Sequence, residues 1–573
     1  MRLVGRVLIG FVVLVAIAGV CEIGAPTGPS IEPESTLVLR VRGVYVEGGE
    51  PALLPRLLGE DRATFAGLLT QLALAERDDR IQTVVLRIEG LGIGWGKAQE
   101  LRGAIRRLRA AGRHTIGYLD LGSLIAHREY FVAAAADEVV LVPGGSAPLV
   151  GLSATYTYLG GLFEKIGIGF EIGKAGRYKS AVEAFAGTEM SEASREMANS
   201  LLDSTERQFL EGIASDRDLS LSEVRERIDQ GPLSGDALIA LGFVDRQVPF
   251  DALLDALGGE VVYGKDYATV DPGSVGFDPQ VTHALVYGSG NVVDGKADQD
   301  PTGAQVFAAG AFARALEAAA KDDEVGAIIL RIDSPGGSAL ASERMWRKVQ
   351  EVRNESGKPV IASFSDVAAS GGYYVAAAAD EIVAPGMSLT GSIGVFALIP
   401  NFSGLQRELG VSSEFLGRGR FADFGSTSRT WSSGARKKLE EMVLDIYFLF
   451  LDRVASGRDL EVAAVDAVAQ GRVWTGAQAY ERRLVDELGG LHEAVVRANL
   501  AVGIDGDADA QLRSFPPPRT LAEQVADLVD ARVARAVNRR LEALEAAGAW
   551  ARVALELPER TPLLVPPATV QIQ

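Results

Sequence analysis

Apolar and polar residues alternate through 36–46 (TLVLRVRGVYV), the period-two signature of a half-buried strand, and 283–293 (HALVYGSGNVV) repeats it later in the chain. Each is followed by a short apolar run, VVLRIEG at 84–90 and AIILRID at 327–333, which predicts a further strand. A glycine-rich loop comes next, and then the period becomes helical. RGAIRRLRAAG (102–112) and SERMWRKVQEVRNESG (342–357) both end in glycine and are expected to turn a basic face outward. Another strand, a turn and an alanine-rich helix complete the order in both places. Strands alternating with helices of this length predict right-handed βαβ units, an α/β fold in each half. Helical patterns over 191–217 and 432–458 link each core to a closing V-D turn.

The two halves read as copies. EYFVAAAADEVV at 129–140 returns as GYYVAAAADEIV at 372–383, a spacing of 243 positions. ASDRDL (214–219) matches ASGRDL (455–460), and GPLSGDALIALGFVD (231–245) matches GRVWTGAQAYERRLVD (471–486). Such self-similarity implies tandem repeats of about 240 residues. It divides the chain into 1–35, a first repeat at 36–275, a second at 276–512, and a remainder at 513–573. In that remainder the linker FPPP (515–518) precedes Leu521, Val525, Val529, Val533, Val537, Leu541 and Leu544 at helical spacing, which predicts an amphipathic helical tail. The Pro-rich end from Leu557 is expected to be poorly ordered.

Composition narrows the possibilities. A chain of 573 residues exceeds what one core usually carries, in keeping with two repeats. Its formal net charge of −19, with no basic face evident, argues against nucleic acid as a partner. The single cysteine, Cys21, rules out an intrachain disulfide and a thiolate zinc site. His114, His127, His283 and His492 are scattered without HExxH spacing, and no G-x-S-x-G elbow occurs, so neither a metalloprotease nor a Ser-His-Asp hydrolase is indicated. No metal and no cofactor is expected.

Arg2 and Arg6 precede an unbroken apolar run from Val7 to Cys21. That pattern predicts an N-terminal membrane segment, an uncleaved anchor that leaves the body of the chain on the extracytoplasmic side. Cleavage after 16–18 (AIA) and lipid modification of Cys21 are the alternatives.

The repeat spacing exposes an asymmetry in polar positions. Ser370, in AASGG, falls opposite His127, while Lys179, in GRYKSAVEAF, falls opposite Ala422. One half carries a serine in a glycine-flanked turn and the other a lysine among apolar neighbours, which reads as one Ser–Lys pair split between the repeats. A serine hydroxyl needs a base to become a nucleophile, and lysine is a base only when burial keeps it neutral. Gly371 follows Ser370 at a predicted helix N-terminus, and DSPGGS (333–338) supplies a second glycine turn. The amides of Gly371 and Gly337 are the expected oxyanion donors. Ser392, replaced by Leu152 in the first copy, is expected to hydrogen-bond the neutral lysine. EGLGIGWGKAQE (89–100) imitates a phosphate loop, but its spacing is wrong and Lys97 is followed by alanine, so no nucleotide site is expected.

Together, RIDSPGGS, SDVAASGGYY, LTGSIGVF, GRVWTGAQA and GRYKSAVEAF resemble the bacterial signal peptide peptidase A family in its long, tandem-repeat form, over roughly residues 36–500. The resemblance implies duplicated crotonase/ClpP-like repeats and a membrane-anchored serine protease of the cytoplasmic membrane, assembled as a homotetramer. It implies Ser370 as nucleophile, Lys179 as general base, Ser392 as the residue orienting the lysine, and Gly337 and Gly371 as the oxyanion hole. Its implied substrates are hydrophobic peptides such as cleaved signal peptides. Two other readings stand beside it: a non-catalytic oligomeric membrane scaffold, and a crotonase-type acyl-CoA enzyme.

Overall fold

The computed structural model describes residues 30–48, 64–232, 234–298, 304–517 and 563–564. The N-terminal apolar segment with Cys21 and the amphipathic helical pattern after residue 518 lie outside the described residues. Among the described residues no helix is long and apolar enough to cross a membrane.

The alternating and apolar runs form two sheets built to one plan, with their equivalent strands parallel in both. In the first, the strands lie in the order Arg246–Gln247, Glu138–Leu141, His114–Leu119, Ile81–Leu91, Ser35–Gly43 and Val261–Tyr263. In the second, Glu487–Leu488, Glu381–Ala384, Val360–Ala369, Val325–Ser334, Val281–Ser289 and Ala510–Phe515 follow the same order. Leu389–Gly391 and Val473–Thr475 extend the second sheet beside the end of Val360–Ala369. This is a mixed α/β fold. Parallel strands need crossovers, and the helices Trp95–Ala110 and Ala339–Ser356 supply equivalent ones.

Each sheet has its own hydrophobic core, yet each core borrows from the other half. Ala175 packs into the second and Met387 into the first. The basic face expected on 102–112 is only partly outward. Arg102 is buried, lies over Phe131 at 3.9 Å and pairs with Asp216, so one arginine of the predicted stripe is structural.

A third sheet joins the halves, and no periodicity announced it. Gly169–Ala175, from the first half, runs antiparallel to Val395–Asn401 of the second. The helix Ser433–Arg458 covers this pair, and a Cβ on Gly173 would sit 2.9 Å from Leu439. Asn291–Val293, Val306–Ala308 and Gly337–Ser338 form the far side of the same sheet. Between the two sides lies Leu563–Leu564, where the Pro-rich end was expected to lack order.

Candidate active site

Ser370 ends the strand Val360–Ala369 and caps the helix Gly371–Ala376. Its backbone sits at φ 54°, ψ −114°, a conformation that costs a non-glycine residue roughly 1–3 kcal/mol and persists only when the surroundings impose it. The imposing contacts are its N–H donating to Gly391 O at 2.8 Å and its carbonyl accepting from Tyr374 N–H at 2.8 Å. The turn aims the fully buried hydroxyl out of the strand toward the third sheet.

Lys179 arrives from the other half, four residues beyond Gly169–Ala175. Pairing of that strand with Val395–Asn401 brings it to Ser370 across 191 residues of chain. Its Nζ lies 2.8 Å from Ser370 Oγ, 2.9 Å from Ser392 Oγ and 2.9 Å from the Ser392 carbonyl. All three residues are fully buried. Among the described residues no carboxylate touches Lys179, and burial drives its pKa well below the ordinary lysine value. A neutral amine has two N–H groups and one lone pair. It can donate to the Ser392 carbonyl and hydroxyl while accepting the proton of Ser370.

Gly337 and Gly371 come close together. A Cβ on Gly371 would lie 3.1 Å from Gly337 N, so the DSPGGS turn abuts the Ser370 turn. Gly337 adopts φ +157°, and a Cβ there would meet Val292 O at 2.2 Å, so only glycine fits. The structure therefore brings all five predicted residues into one place. Among the described residues no group of three or more His, Cys, Asp and Glu could hold a metal ion.

Two contributors escaped the sequence reading. Gly471 (φ +75°) passes so near Lys179 that a Cβ would fall 2.6 Å from the lysine Cβ. Around it, Gln470 O accepts from Tyr178 N–H at 2.7 Å and Arg472 O from Ser392 N–H at 2.7 Å. Gln470 and the start of GRVWTGAQA thus grip both sides of the lysine; the motif's repetition in the sequence marked it as important without saying why. The second is Lys97. It is buried, with its Nζ 2.8 Å from Glu47, 2.6 Å from Asp333 and 2.9 Å from Asp366. Asp333 opens the glycine turn and Asp366 precedes Ser370 on its strand. Burial works against the charge of Lys97, but the carboxylates of Asp333, Asp366 and Glu47 outweigh it and hold its pKa well above normal. The false phosphate loop is a clamp from the first half onto the second. Its backbone confirms the grip: the N–H groups of Gly94 and Lys97 donate to Asp366 at 2.9 and 2.8 Å.

A cavity of about 1780 Å³ is lined by Leu74, Tyr287, Phe312 and Leu491 among others and by none of the five site residues.

The profile of peptidase family S49 matches residues 121–261 and 352–505, just over half of the chain. The serine protease SPPA, chloroplastic, of Arabidopsis thaliana is 33% identical over 461 residues, covering 78% of this chain and 67% of the plant protein. Protease 4 of Haemophilus influenzae is 30% identical over 541 residues, covering 88% and 85% respectively. Protease 4 of Salmonella typhi is 27% identical over 521 residues, covering 85% and 82%.

Proposed function

This chain belongs to peptidase family S49 and is a serine protease, and from that premise we propose that it hydrolyses peptides through a Ser–Lys dyad assembled from both repeats. The observation that carries the proposal is the 2.8 Å contact between a fully buried lysine, kept neutral by burial, and a strained serine at a helix N-terminus.

Lys179 Nζ takes the Ser370 proton as Oγ bonds to the scissile carbonyl carbon. The carbonyl π pair moves onto oxygen, where the Gly337 and Gly371 amides stabilise it. The tetrahedral centre collapses, the C–N bond breaks, and the leaving amine receives the proton from Lys179. Water then gives a proton to Lys179 and attacks the acyl carbon. The C–Oγ bond breaks, a carboxylic acid leaves and Ser370 recovers its proton. Ser392 positions the amine throughout by accepting its two N–H bonds.

We further propose two crotonase/ClpP-like repeats at 36–275 and 276–512, flanked by 1–35 and 513–573. Hydrophobic peptides such as cleaved signal peptides are the substrates, and the assembly is a homotetramer anchored by the N-terminal segment to a bacterial cytoplasmic membrane on its extracytoplasmic side. The motif set, the names of the relatives and the arginine-flanked apolar run support these readings. The test is a fluorophosphonate probe with mass spectrometry. An adduct on Ser370 in the wild type that disappears in Lys179→Ala is the expected result. Equal labelling of both proteins rejects the lysine as base.

A further inference from the structure

Two residues beside Lys179 adopt backbone conformations that only their surroundings can hold. Ser392 and Gln470 both sit at φ 52°, in the left-handed region that favours glycine. At Ser392 the conformation bears on the chemistry, because its hydroxyl and its carbonyl both accept from Lys179 Nζ. Its own N–H is tied to Arg472 O at 2.7 Å, two residues after Gln470. The side chain of the same arginine reaches toward the lysine's segment. Its guanidinium lies over the Tyr178 ring at 4.7 Å and over the Trp474 ring at 4.5 Å, and Nη1 donates to Glu196 at 2.6 Å. Tyr178 immediately precedes Lys179, and its hydroxyl donates to the same carboxylate at 3.0 Å. Hydrogen bonds from Arg472, and then from Tyr178, lower the Glu196 pKa and keep the carboxylate charged. Arg472 therefore holds Ser392 by its backbone and the lysine's neighbour by its side chain.

We propose that Arg472 is a positioning residue for catalysis, fixing the lysine of the first half against Ser392 of the second. The inference rests on the Ser–Lys reading of the site and adds a residue that works through Tyr178 and Ser392. Gly471 makes the coupling tight. A Cβ there would fall 2.6 Å from the lysine Cβ, so the turn has no room to shift without moving Lys179. General docking of the halves is supplied elsewhere. The helix Glu192–Asp216 is held to the second half without Arg472, by Met197 Sδ accepting from Val473 N–H at 3.2 Å. Further along, Gln478 donates to Ser200 Oγ at 3.0 Å, and the Ser204 and Thr475 hydroxyls meet at 2.9 Å. Those contacts pack the helix, while Arg472 sets the alignment of Lys179. A planar guanidinium suits a slot between two ring faces, and the stack holds it in one orientation.

The test measures, in the full chain, the rate at which a fluorophosphonate labels Ser370, together with kcat and KM for a peptide substrate. Labelling reads activation of the serine without peptide binding. Arg472→Ala is expected to slow labelling and kcat each about tenfold while KM stays within about twofold. Tyr178→Ala should do the same, and the double variant should be about as slow as each single one, because both act on one alignment. Tyr178→Phe, which keeps the stacked ring, should lose only about threefold. Glu196→Ala, at a half-exposed position, should slow labelling about threefold and keeps the test open if Arg472→Ala fails to fold. In a Lys179→Ala background, adding Arg472→Ala should change nothing further. Wild-type labelling in the Arg472 and Glu196 variants, a loss in KM alone, or an additive loss in the Lys179→Ala background overturns the proposal. Lys179→Ala labelling at the wild-type rate would instead reject the dyad, and that control does not involve Arg472, so the two failures are told apart.

Discussion

Where the second half holds Ser370, the first holds His127, and the two side chains occupy opposite kinds of site. Ser370 is strained and its hydroxyl meets Lys179. His127 begins an ordinary helix, stacks edge-on against Phe209 at 5.9 Å and accepts from Val150 N–H at 3.3 Å. Burial first, and Arg128 second, lower its pKa to about 4, so the ring is neutral and structural. The same contrast holds one strand away. Arg87 and Arg331 share the motif LRI, yet Arg87 is part-exposed and pairs with Asp120, whereas Arg331 is buried against Glu47 and Glu100. A duplicated sheet thus serves two ends. One copy spends its equivalent positions on packing and on a clamp, while the other is freed to hold a strained serine.

Removing either member of the split pair should have the largest effect. Ser370→Ala and Lys179→Ala are expected to lower kcat by at least about 10⁴-fold in a peptide-cleavage assay, with circular dichroism unchanged. Residual turnover near the wild-type level in either variant would mean that the asymmetry between the halves is not catalytic. Loss of Ser392 should cost less. Ser392→Ala removes one hydrogen bond to the amine, worth about 1–3 kcal/mol, and is expected to slow kcat about 10- to 100-fold. Because Lys179 must be neutral to act, wild-type kcat should rise with pH through the depressed lysine pKa and then level off.

The clamp should show itself in stability. Lys97→Met leaves buried Glu47 and half-buried Asp333 and Asp366 together without their shared cation, and about 3–5 kcal/mol of unfolding free energy should be lost in urea melts. The smallest effect on activity belongs to His127→Gln, which should leave kcat within about twofold. It should, however, change the response to acid. In the wild type the unfolded chain protonates this ring below about 6.5, while the folded chain resists until about 4. Stability from this residue is therefore complete above pH 6.5 and is lost as pH falls toward 4. The glutamine variant should lose up to about 3 kcal/mol less over that window. Equal acid sensitivity would mean that His127 is not held neutral.

Periodicity and offset along the chain already carried the repeat, the α/β class and the identity of the polar residues that one copy has and the other lacks. These are local and periodic properties: strand alternation, helix spacing and the recurrence of AAAADE at a fixed offset survive in one dimension. Ser370, Lys179, Ser392, Gly337 and Gly371 were legible for that reason. That they meet is a product of long-range packing. The contact depends on Gly169–Ala175 of the first half pairing with Val395–Asn401 of the second, an edge pairing with no signature in either strand. The same packing makes Lys97 a clamp, turns Arg102 inward and lets Leu563–Leu564 complete the third sheet. Each is a long-range contact between groups whose neighbours along the chain are unremarkable, and burial and charge pairing exist only once those distant segments have packed.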